Sequence, residues 1–494
     1  MIFRLGASFA LVLLLSLSAH AQTTGDPILY EVYQVDETAS IRLVDSVSGE
    51  IQEIATLNPD SADAGWSPDG RYVHLVEESG ERLRSLRIYD RETETRYLIT
   101  DAQVLNPCSD DVYWSPRGNA LAYLALEVDL QVLHLVNADG SGDRVLVSGI
   151  ADFTLPVLWS ADGRYLTRAV TLADGYRYLI WEAASGRLAA EITSIAGDFE
   201  PVWSPTGARL ALAGFQQDEI LVFDSADEEI TTYTGSPPAF WSPDGEILSL
   251  YRQREEGAGL LILLGVDGTV VWQSSGISVS LHTSVWSPDG RWLAFAGTTL
   301  EAENVSKPAA GTSYPEGTPT IYVFDRQTLT VRTVSHEAIY AGRMYWSPDS
   351  EVLVFGGNID VFSDELALLW WYDPVNGTEQ HVELDVPLWN YGYFTPLWSL
   401  DSRYLLYIGA GGFGYFDRET GTADFIEHLT HTFRWFPGAD PHTFEAVANF
   451  DDLVVIEPDG RARNLTNTPD EREMFLGWAG DQAYYRSLLW CGEG

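Results

Sequence analysis

A tryptophan followed by a tight polar turn recurs ten times along the chain, and no other feature restricts its fold as strongly. Trp-Ser-Pro-Asp-Gly stands unaltered at Trp66 to Gly70, Trp241 to Gly245 and Trp286 to Gly290. Altered copies begin at Trp114 (W-S-P-R-G), Trp159 (W-S-A-D-G), Trp203 (W-S-P-T-G), Trp346 (W-S-P-D-S) and Trp398 (W-S-L-D-S), and more worn ones at Trp435 (W-F-P-G-A-D) and Trp478 (W-A-G-D). Successive tryptophans are 48, 45, 44, 38, 45, 60, 52, 37 and 43 residues apart, close to the length of one propeller blade.

Each unit reads alike. In the fourth, Arg209 to Phe215, Glu219 to Asp224 and Glu229 to Thr234 are short alternating segments separated by turn residues, and Pro238-Ala-Phe-Trp241 opens the next unit. Period-2 patterning with regular turns predicts strands, and no ten-residue stretch after the first 21 residues carries a helical period. Four strands per unit predict an all-β chain of propeller blades. The motif itself needs no catalysis. Pro fixes φ in a type I turn, Asp or Ser bonds its own backbone, and Gly takes the left-handed position. Trp66, Asp69 and Gly70, with Trp114, Trp159, Trp203, Trp241, Trp286, Trp346 and Trp398, are therefore read as structural, the indoles filling the wedges between blades.

The two ends complement each other. Ile28 to Gln34, Ser40 to Val44 and Ile51 to Leu57 read as outer strands ahead of the first Trp motif. The tail supplies Met474 to Trp478 and Gln482 to Leu489 without a full outer set. Sharing one blade between the termini removes open edges. The expectation is ten blade equivalents in one ring, with two smaller lobes of about five blades each as the alternative.

The unit resembles the TolB-like, WD-repeat-like propeller family, which combines this turn with a strand ending in an acid, a Gly turn and a closing Leu-Thr. Leu453-Val-Val-Ile-Glu-Pro-Asp-Gly460, Arg463-Asn-Leu-Thr466 and Trp478 match it best, and Val136-Asn-Ala-Asp-Gly-Ser-Gly142 and Ile321-Tyr-Val-Phe-Asp325 fit too. The resemblance covers nearly all of residues 22–494. It implies a periplasmic docking platform or the non-catalytic part of a larger enzyme, since such a fold serves several functions.

Arg4, the apolar run Leu5 to Leu17 and Ala19-His20-Ala21 form the pattern of a secretory signal over residues 1–21, with a mature start at Gln22. The run is shorter than a membrane-spanning helix of ~18 to 20 residues. No cysteine adjoins the cleavage site, and no later segment is apolar enough to span a bilayer, so the mature chain is expected in the periplasm or outside the cell. That compartment permits one disulfide between the two cysteines, Cys108 and Cys491, but two isolated cysteines form no zinc site.

With 29 Lys+Arg against 72 Asp+Glu in 494 residues, the formal charge is −43. Such a surface repels nucleic-acid phosphates and anionic membranes. A hydrophobic share of 45% with 17 Trp excludes an acidic disordered tail. Lys307 is the only lysine. Acid excess with scarce lysine fits either salt adaptation or a GC-rich genome. Under salt adaptation the unfolding midpoint rises strongly with NaCl.

Catalytic motifs are wanting. A propeller-bearing serine hydrolase needs a G-x-S-x-G elbow, and none occurs; nor does H-E-x-x-H. His428 and His431 form the only close His pair. No cofactor is expected. Asn137-x-Asp139-x-Ser141-Gly142-Asp143 alternates oxygen-bearing residues as calcium loops do, but it lacks the closing Glu and falls where the repeat requires a plain β-turn. Glycosidase carboxylates are not identifiable among 72 acids.

If the Trp turn joins the innermost strand to the second, the irregular connections gather on the opposite face. They include Gly297 to Thr320, with Lys307 and three prolines, the segment Asn358 to Asp364, and the aromatic run Trp389 to Phe394. Trp389, Tyr391, Tyr393 and Phe394, with Asp360 and Asp364, suit a protein, peptide or glycan partner, unless they pack between blades. The leading expectation is an exported, non-catalytic scaffold for a protein or peptide. A propeller enzyme acting on envelope or extracellular polysaccharide is the alternative, and a rigid spacer in a surface assembly a third.

Overall fold

The computed structural model describes residues 27–33, 39–57, 63–78, 84–101, 103–104, 112–127, 130–150, 157–172, 175–194, 199–214, 219–253, 259–280, 283–299, 320–334, 344–357, 368–383, 397–399, 401–409, 412–427, 432–435, 444–447, 453–456, 462–466 and 472–478. Every regular element among them is a β-strand, and the strands form ten antiparallel sheets. Nine sheets follow one another along the chain, each opening with a Trp-motif strand, and are numbered here blades 1 to 9 from Trp66. The fourth blade is typical: Phe199–Trp203, Arg209–Gly214, Glu219–Asp224 and Ile230–Thr234 pair in chain order, which matches the segments read from the sequence.

The Trp-bearing strands converge. In four pairs of neighbouring blades these first strands touch: Phe199–Trp203 with Ser236–Trp241, Val285–Trp286 with Met344–Trp346, Leu397–Trp398 with Thr432–Trp435, and Asp63–Trp66 with Arg472–Trp478. The fourth strands face water instead, as the mostly exposed Ile230–Thr234 does. First strands are therefore innermost and fourth strands form the rim.

Alternation puts apolar side chains on both faces of the middle strands, so each blade is buried on two sides. Leu210, Leu212 and Phe223 of blade 4 pack on Tyr178 and Ile180 of blade 3, while Ala211, Ile220 and Val222 pack on Trp241, Leu248 and Ile262 of blade 5. Burying each such Leu, Ile or Phe side chain contributes ~1.5–3 kcal/mol. Equivalent cores join the other neighbours through blade 8. Blades 8 and 9 meet through their first strands.

The tenth sheet closes the ring. Pro27–Tyr33, Ala39–Asp45 and Ile51–Leu57 supply three strands, and Arg472–Trp478 supplies the innermost one, pairing Ile28 with Trp478 and Val32 with Glu473. This sheet packs on blade 1 through Leu29, Leu43, Leu75 and Tyr89, and on blade 9 through Ile28, Tyr30, Val32, Leu453 and Leu465. One cyclic order of ten sheets replaces the two-lobe alternative. The seam is also bolted by a fully buried carboxylate: Glu473 Oε2 accepts from the Leu453 amide at 2.9 Å and from the Thr466 hydroxyl at 2.7 Å. The second expected tail strand, Gln482 to Leu489, lies outside the described residues.

Blades 2 and 6 depart from the simple repeat, because their innermost strand is split in two. In blade 6, Ile277–Val279 and Val285–Trp286 both pair with Trp292–Thr299. Between them the Thr283 hydroxyl accepts from the Ala296 amide at 3.1 Å, replacing a backbone carbonyl in the ladder.

Candidate functional site

The Trp turns occupy one face, and their polar groups are spent on one another. In the first turn the Gly70 amide donates to the Ser67 carbonyl at 2.9 Å. The Ser67 hydroxyl donates to Asp69 Oδ1 at 2.6 Å and accepts from the Tyr72 amide at 2.9 Å. The Ser–Asp bond recurs at Ser160–Asp162, Ser242–Asp244, Ser287–Asp289, Ser347–Asp349 and Ser399–Asp401. Gly70 has φ +69°, the left-handed conformation that closes the turn.

A second layer ties four of the turns to the end of the third strand. Arg71 pairs with Asp90 at 2.9 Å, Arg209 with Asp224 at 2.8 Å, Arg291 with Asp325 at 3.3 Å and Arg403 with Asp417 at 2.9 Å. The hydrogen bond from Arg71 holds Asp90 below the usual carboxylate range despite burial. For Asp325 and Asp417, burial opposes ionisation, but bonds from the arginines and from the Gln327 and Glu419 amides outweigh it, so both are lowered.

A third layer joins blades. Arg326 of blade 6 reaches Asp244 of blade 5 at 2.6 Å, and Arg418 of blade 8 reaches Asp349 of blade 7 at 2.6 Å. At Gly207 a Cβ would lie 2.6 Å from the Asp162 amide nitrogen of the preceding turn, so there the turns are seated with no room for a side chain. Where the motif ends in Ser, Ser350 and Ser402 adopt φ +63°, and their hydroxyls accept from the Asp289 and Asp349 amides of the preceding blades at 2.9 Å. The altered W-S-P-D-S and W-S-L-D-S copies thus exchange glycine's freedom for a bond between blades.

Three of the motif indoles reach back to backbone. Trp159 donates to the Tyr113 carbonyl at 3.1 Å, Trp241 to Val202 at 3.0 Å and Trp346 to Val285 at 3.1 Å, each across to the preceding blade. Trp114 donates instead to His74 Nδ1 at 2.9 Å, and Trp286 to the Ser249 hydroxyl at 3.1 Å. Trp66 packs against the core between the closing blade and blade 1.

Connections on the opposite face vary. Glu127 and Leu130 are joined by two residues, whereas Thr299 is followed by the next strand only at Thr320. On the Trp face the corresponding gaps between described strands stay nearly constant from blade 1 to blade 8, as from Trp66 to Tyr72 and from Trp241 to Ile247. Asp360 and Asp364 belong to the connection between Leu353–Gly357 and Leu368–Asp373. Trp389, Tyr391, Tyr393 and Phe394 belong to that between Thr378–Glu383 and Leu397–Trp398. All six lie outside the described residues, as do Lys307, Cys108, Cys491, His428 and His431. The strand ends that carry the two segments belong to blades 7 and 8, which share a core of Val354, Leu369, Leu405 and Phe416.

One constellation escaped the sequence reading. In blade 2 the His134 ring is held at both nitrogens, Nδ1 to Asp143 and Nε2 to Glu127, each at 3.1 Å. Tyr123 donates to Asp143 at 3.0 Å and stacks on His134 with centroids 4.8 Å apart. Tyr123 and His134 are cross-strand partners, a relation visible only once the register is known. Burial lowers the His134 pKa, but the two carboxylates overcome this and raise it, and Asp143 is lowered reciprocally despite its own burial. Both ring nitrogens are engaged by carboxylates. The Asn137–Asp143 segment is a turn whose oxygens are mutually bonded: Asp139 accepts from the Ser141 amide at 2.9 Å and hydroxyl at 2.6 Å. Among the described residues no group of three or more His, Cys, Asp or Glu is placed to hold a metal, and no helix is long and apolar enough to cross a membrane.

No protein-family model matches the chain. It is 28% identical over 131 residues to the uncharacterized peptidase YuxL of Bacillus subtilis (strain 168), a match covering 24% of this chain and 20% of that protein. Among solved structures it is similar to a eukaryotic initiation factor, with TM-score 0.49 and 14% identity over 82% of this chain and 97% of that one. Dipeptidyl peptidase 4 of Porphyromonas gingivalis aligns with TM-score 0.42 and 10% identity over 80% and 64%. TolB of Acinetobacter baumannii aligns with TM-score 0.26 and 14% identity over 66% and 79%.

Proposed function

We propose that the chain is an exported, non-catalytic propeller that holds a protein or peptide partner on the face opposite the Trp turns. The observation that carries this reading is the contrast between the faces. On one, turns of nearly constant length spend their hydrogen bonds on each other and on the next blade. On the other, connections of variable length leave the rigid strand ends, the arrangement in which binding loops are supported by a scaffold. Trp389, Tyr391, Tyr393 and Phe394 supply aromatic anchors of the kind that dominate interface energies, and Asp360 and Asp364 supply charge. A formal charge of −43 favours a partner with basic groups through long-range attraction. The partial likeness to a protein described as a peptidase agrees with a polypeptide ligand.

Affinity capture from an envelope extract tests the proposal, with the mature chain compared against a folded variant carrying Trp389→Ala, Tyr391→Ala and Tyr393→Ala. A partner kept by the first and lost by the second is expected. Capture of nothing, or equal capture by both, overturns it.

A further inference from the structure

Blade 2 carries a charge constellation that its turn chemistry does not require. Ala120–Glu127 and Leu130–Asn137 form a hairpin with Tyr123 opposite His134 and Glu127 opposite Leu130. Tyr123, Ala125 and Glu127 lie on one side of their strand. Ala125, between the other two, is small enough to let the His134 ring pass over it to Glu127. Asp143 immediately precedes the next strand, Arg144–Ile150. The imidazole therefore ties together the far end of one strand, the middle of the second and the start of the third.

Protonation decides whether both ties can exist. An imidazolium donates from both nitrogens, whereas a neutral imidazole has one N–H and one lone pair. Once neutral, the ring sets a lone pair against one carboxylate. Asp143 keeps its place, because Tyr123 also donates to it at 3.0 Å. Glu127 has a side chain 44% exposed and no second partner of that kind in the cluster, so it turns to water. Among the described residues, the groups that blade 1 turns toward this side carry no carboxylate and no arginine. Blade 1 faces the cluster with Leu86 and Ile88 from one strand and Tyr97, Ile99 and Thr100 from the rim strand. From a third strand come Tyr72, stacked on Trp114, and His74, which accepts from that indole.

We propose that His134 is a proton-controlled clamp, whose imidazolium fastens Glu127 to Asp143 and whose neutral form releases Glu127 on the face opposite the Trp turns. The clamp concerns the free protein and stands whether or not that face binds a partner. Because the two carboxylates raise the His134 pKa, release comes at a higher pH than the one at which an ordinary imidazole loses its proton. As the folded pKa exceeds the unfolded one, the clamp's contribution is complete below the unfolded value and is lost as pH rises through the folded value.

The test is a histidine NMR titration of the mature chain between pH 5 and 9, together with hydrogen exchange over Leu130 to Leu133. The wild type is compared with Glu127→Gln and Asp143→Asn. Among the histidines of the mature chain, which lacks His20 of the nine in the full sequence, the His134 resonance is identified by its loss in His134→Gln. Its midpoint is expected to fall by ~0.5 units or more in Glu127→Gln and further in Asp143→Asn. Protection of the hairpin end is expected to drop above the wild-type midpoint and to be pH-independent in Glu127→Gln. Glu127 sits at the protein surface, so its variant reads the clamp even if Asp143→Asn does not fold. An unmoved midpoint in Glu127→Gln, or hairpin protection equal on both sides of the midpoint, overturns the proposal.

Discussion

The indole nitrogen of Trp159 donates to the carbonyl oxygen of Tyr113, the residue immediately before the preceding motif tryptophan, at 3.1 Å. Trp241 does the same to Val202 and Trp346 to Val285. At these three junctions one blade is linked indole to backbone to the previous one, and the large ring packed between them also satisfies an inner-strand carbonyl.

Trp241→Phe keeps a buried aromatic ring and removes the donor together with part of the indole. A loss of ~1–2 kcal/mol is expected, against ~3–5 kcal/mol for Trp241→Ala, which also leaves a cavity. Denaturant unfolding followed by fluorescence measures both. Equal losses would mean that the ring retained in Trp241→Phe contributes nothing and would contradict the packing share of this estimate.

Ser350 separates strain from linkage. Ser350→Ala keeps the left-handed backbone at φ +63° and deletes the acceptor for the Asp289 amide, so it should destabilise by ~1–2 kcal/mol. Ser350→Gly deletes the same bond and relieves the strain, so it should be the milder change by ~1 kcal/mol. A Gly variant as unstable as the Ala variant contradicts this balance.

Gly207 and Gly421 both have positive φ, at +75° and +69°. A Cβ at Gly207 meets the Asp162 amide nitrogen at 2.6 Å, whereas one at Gly421 meets nothing within 4 Å. Alanine at Gly421 is expected to cost ~1–2 kcal/mol through backbone strain. Alanine at Gly207 should cost more, because the clash is with backbone. Thermal melts of the two variants decide it, and matching melting temperatures count against turn-on-turn seating.

Asp325 and Asp417 titrate below the ordinary carboxylate range in the folded state. Their contribution is present above the unfolded pKa and is lost as pH falls through the folded one. Asp325→Asn should therefore be less stable than wild type at pH 7, and the wild type should approach it as pH falls below the ordinary carboxylate range and Asp325 loses the charge that the variant lacks at every pH. Unfolding free energies measured from pH 7 downward check this, and a constant gap would contradict it.

Much of this architecture is legible in the sequence because the turn chemistry is local. Trp, Ser, Pro, Asp and Gly at fixed offsets specify one hairpin wherever they stand, and the alternation after Arg209 marks strands ending within a residue or two of those observed. Ring closure is legible because the first three strands lack a Trp partner until Trp478. Other features depend on register. Tyr123 and His134 are eleven positions apart in sequence and become neighbours only through the hairpin, and Asp143 reads as a turn residue until its carboxylate is placed. Ser350 reads as a worn glycine position, because the amide it accepts from is 61 residues away. Of the candidate site, the sequence offers a face as an expectation, and Asp360, Asp364, Trp389, Tyr391, Tyr393 and Phe394 lie outside the described residues.

The closing seam offers a further check. Glu473→Ala leaves the Leu453 amide with the Thr466 hydroxyl oxygen, at 3.0 Å, as its remaining acceptor and takes from the Thr466 hydroxyl the carboxylate it donates to, and ~1–3 kcal/mol should be lost, with Glu473→Gln retaining part of it. Hydrogen exchange should rise first in Pro27–Tyr33, the partner of Arg472–Trp478. Uniform change across all blades would contradict a local seam.

The most direct measurement of the central claim is a hydrogen-exchange footprint of the captured complex against the free chain. Protection is expected at strand ends on the loop face, such as Gly357, Leu368 and Leu397, with the turns at Ser67, Ser242 and Ser287 unchanged. Protection confined to the Trp turns, or none on either face, would contradict the assignment of the loop face as the binding surface.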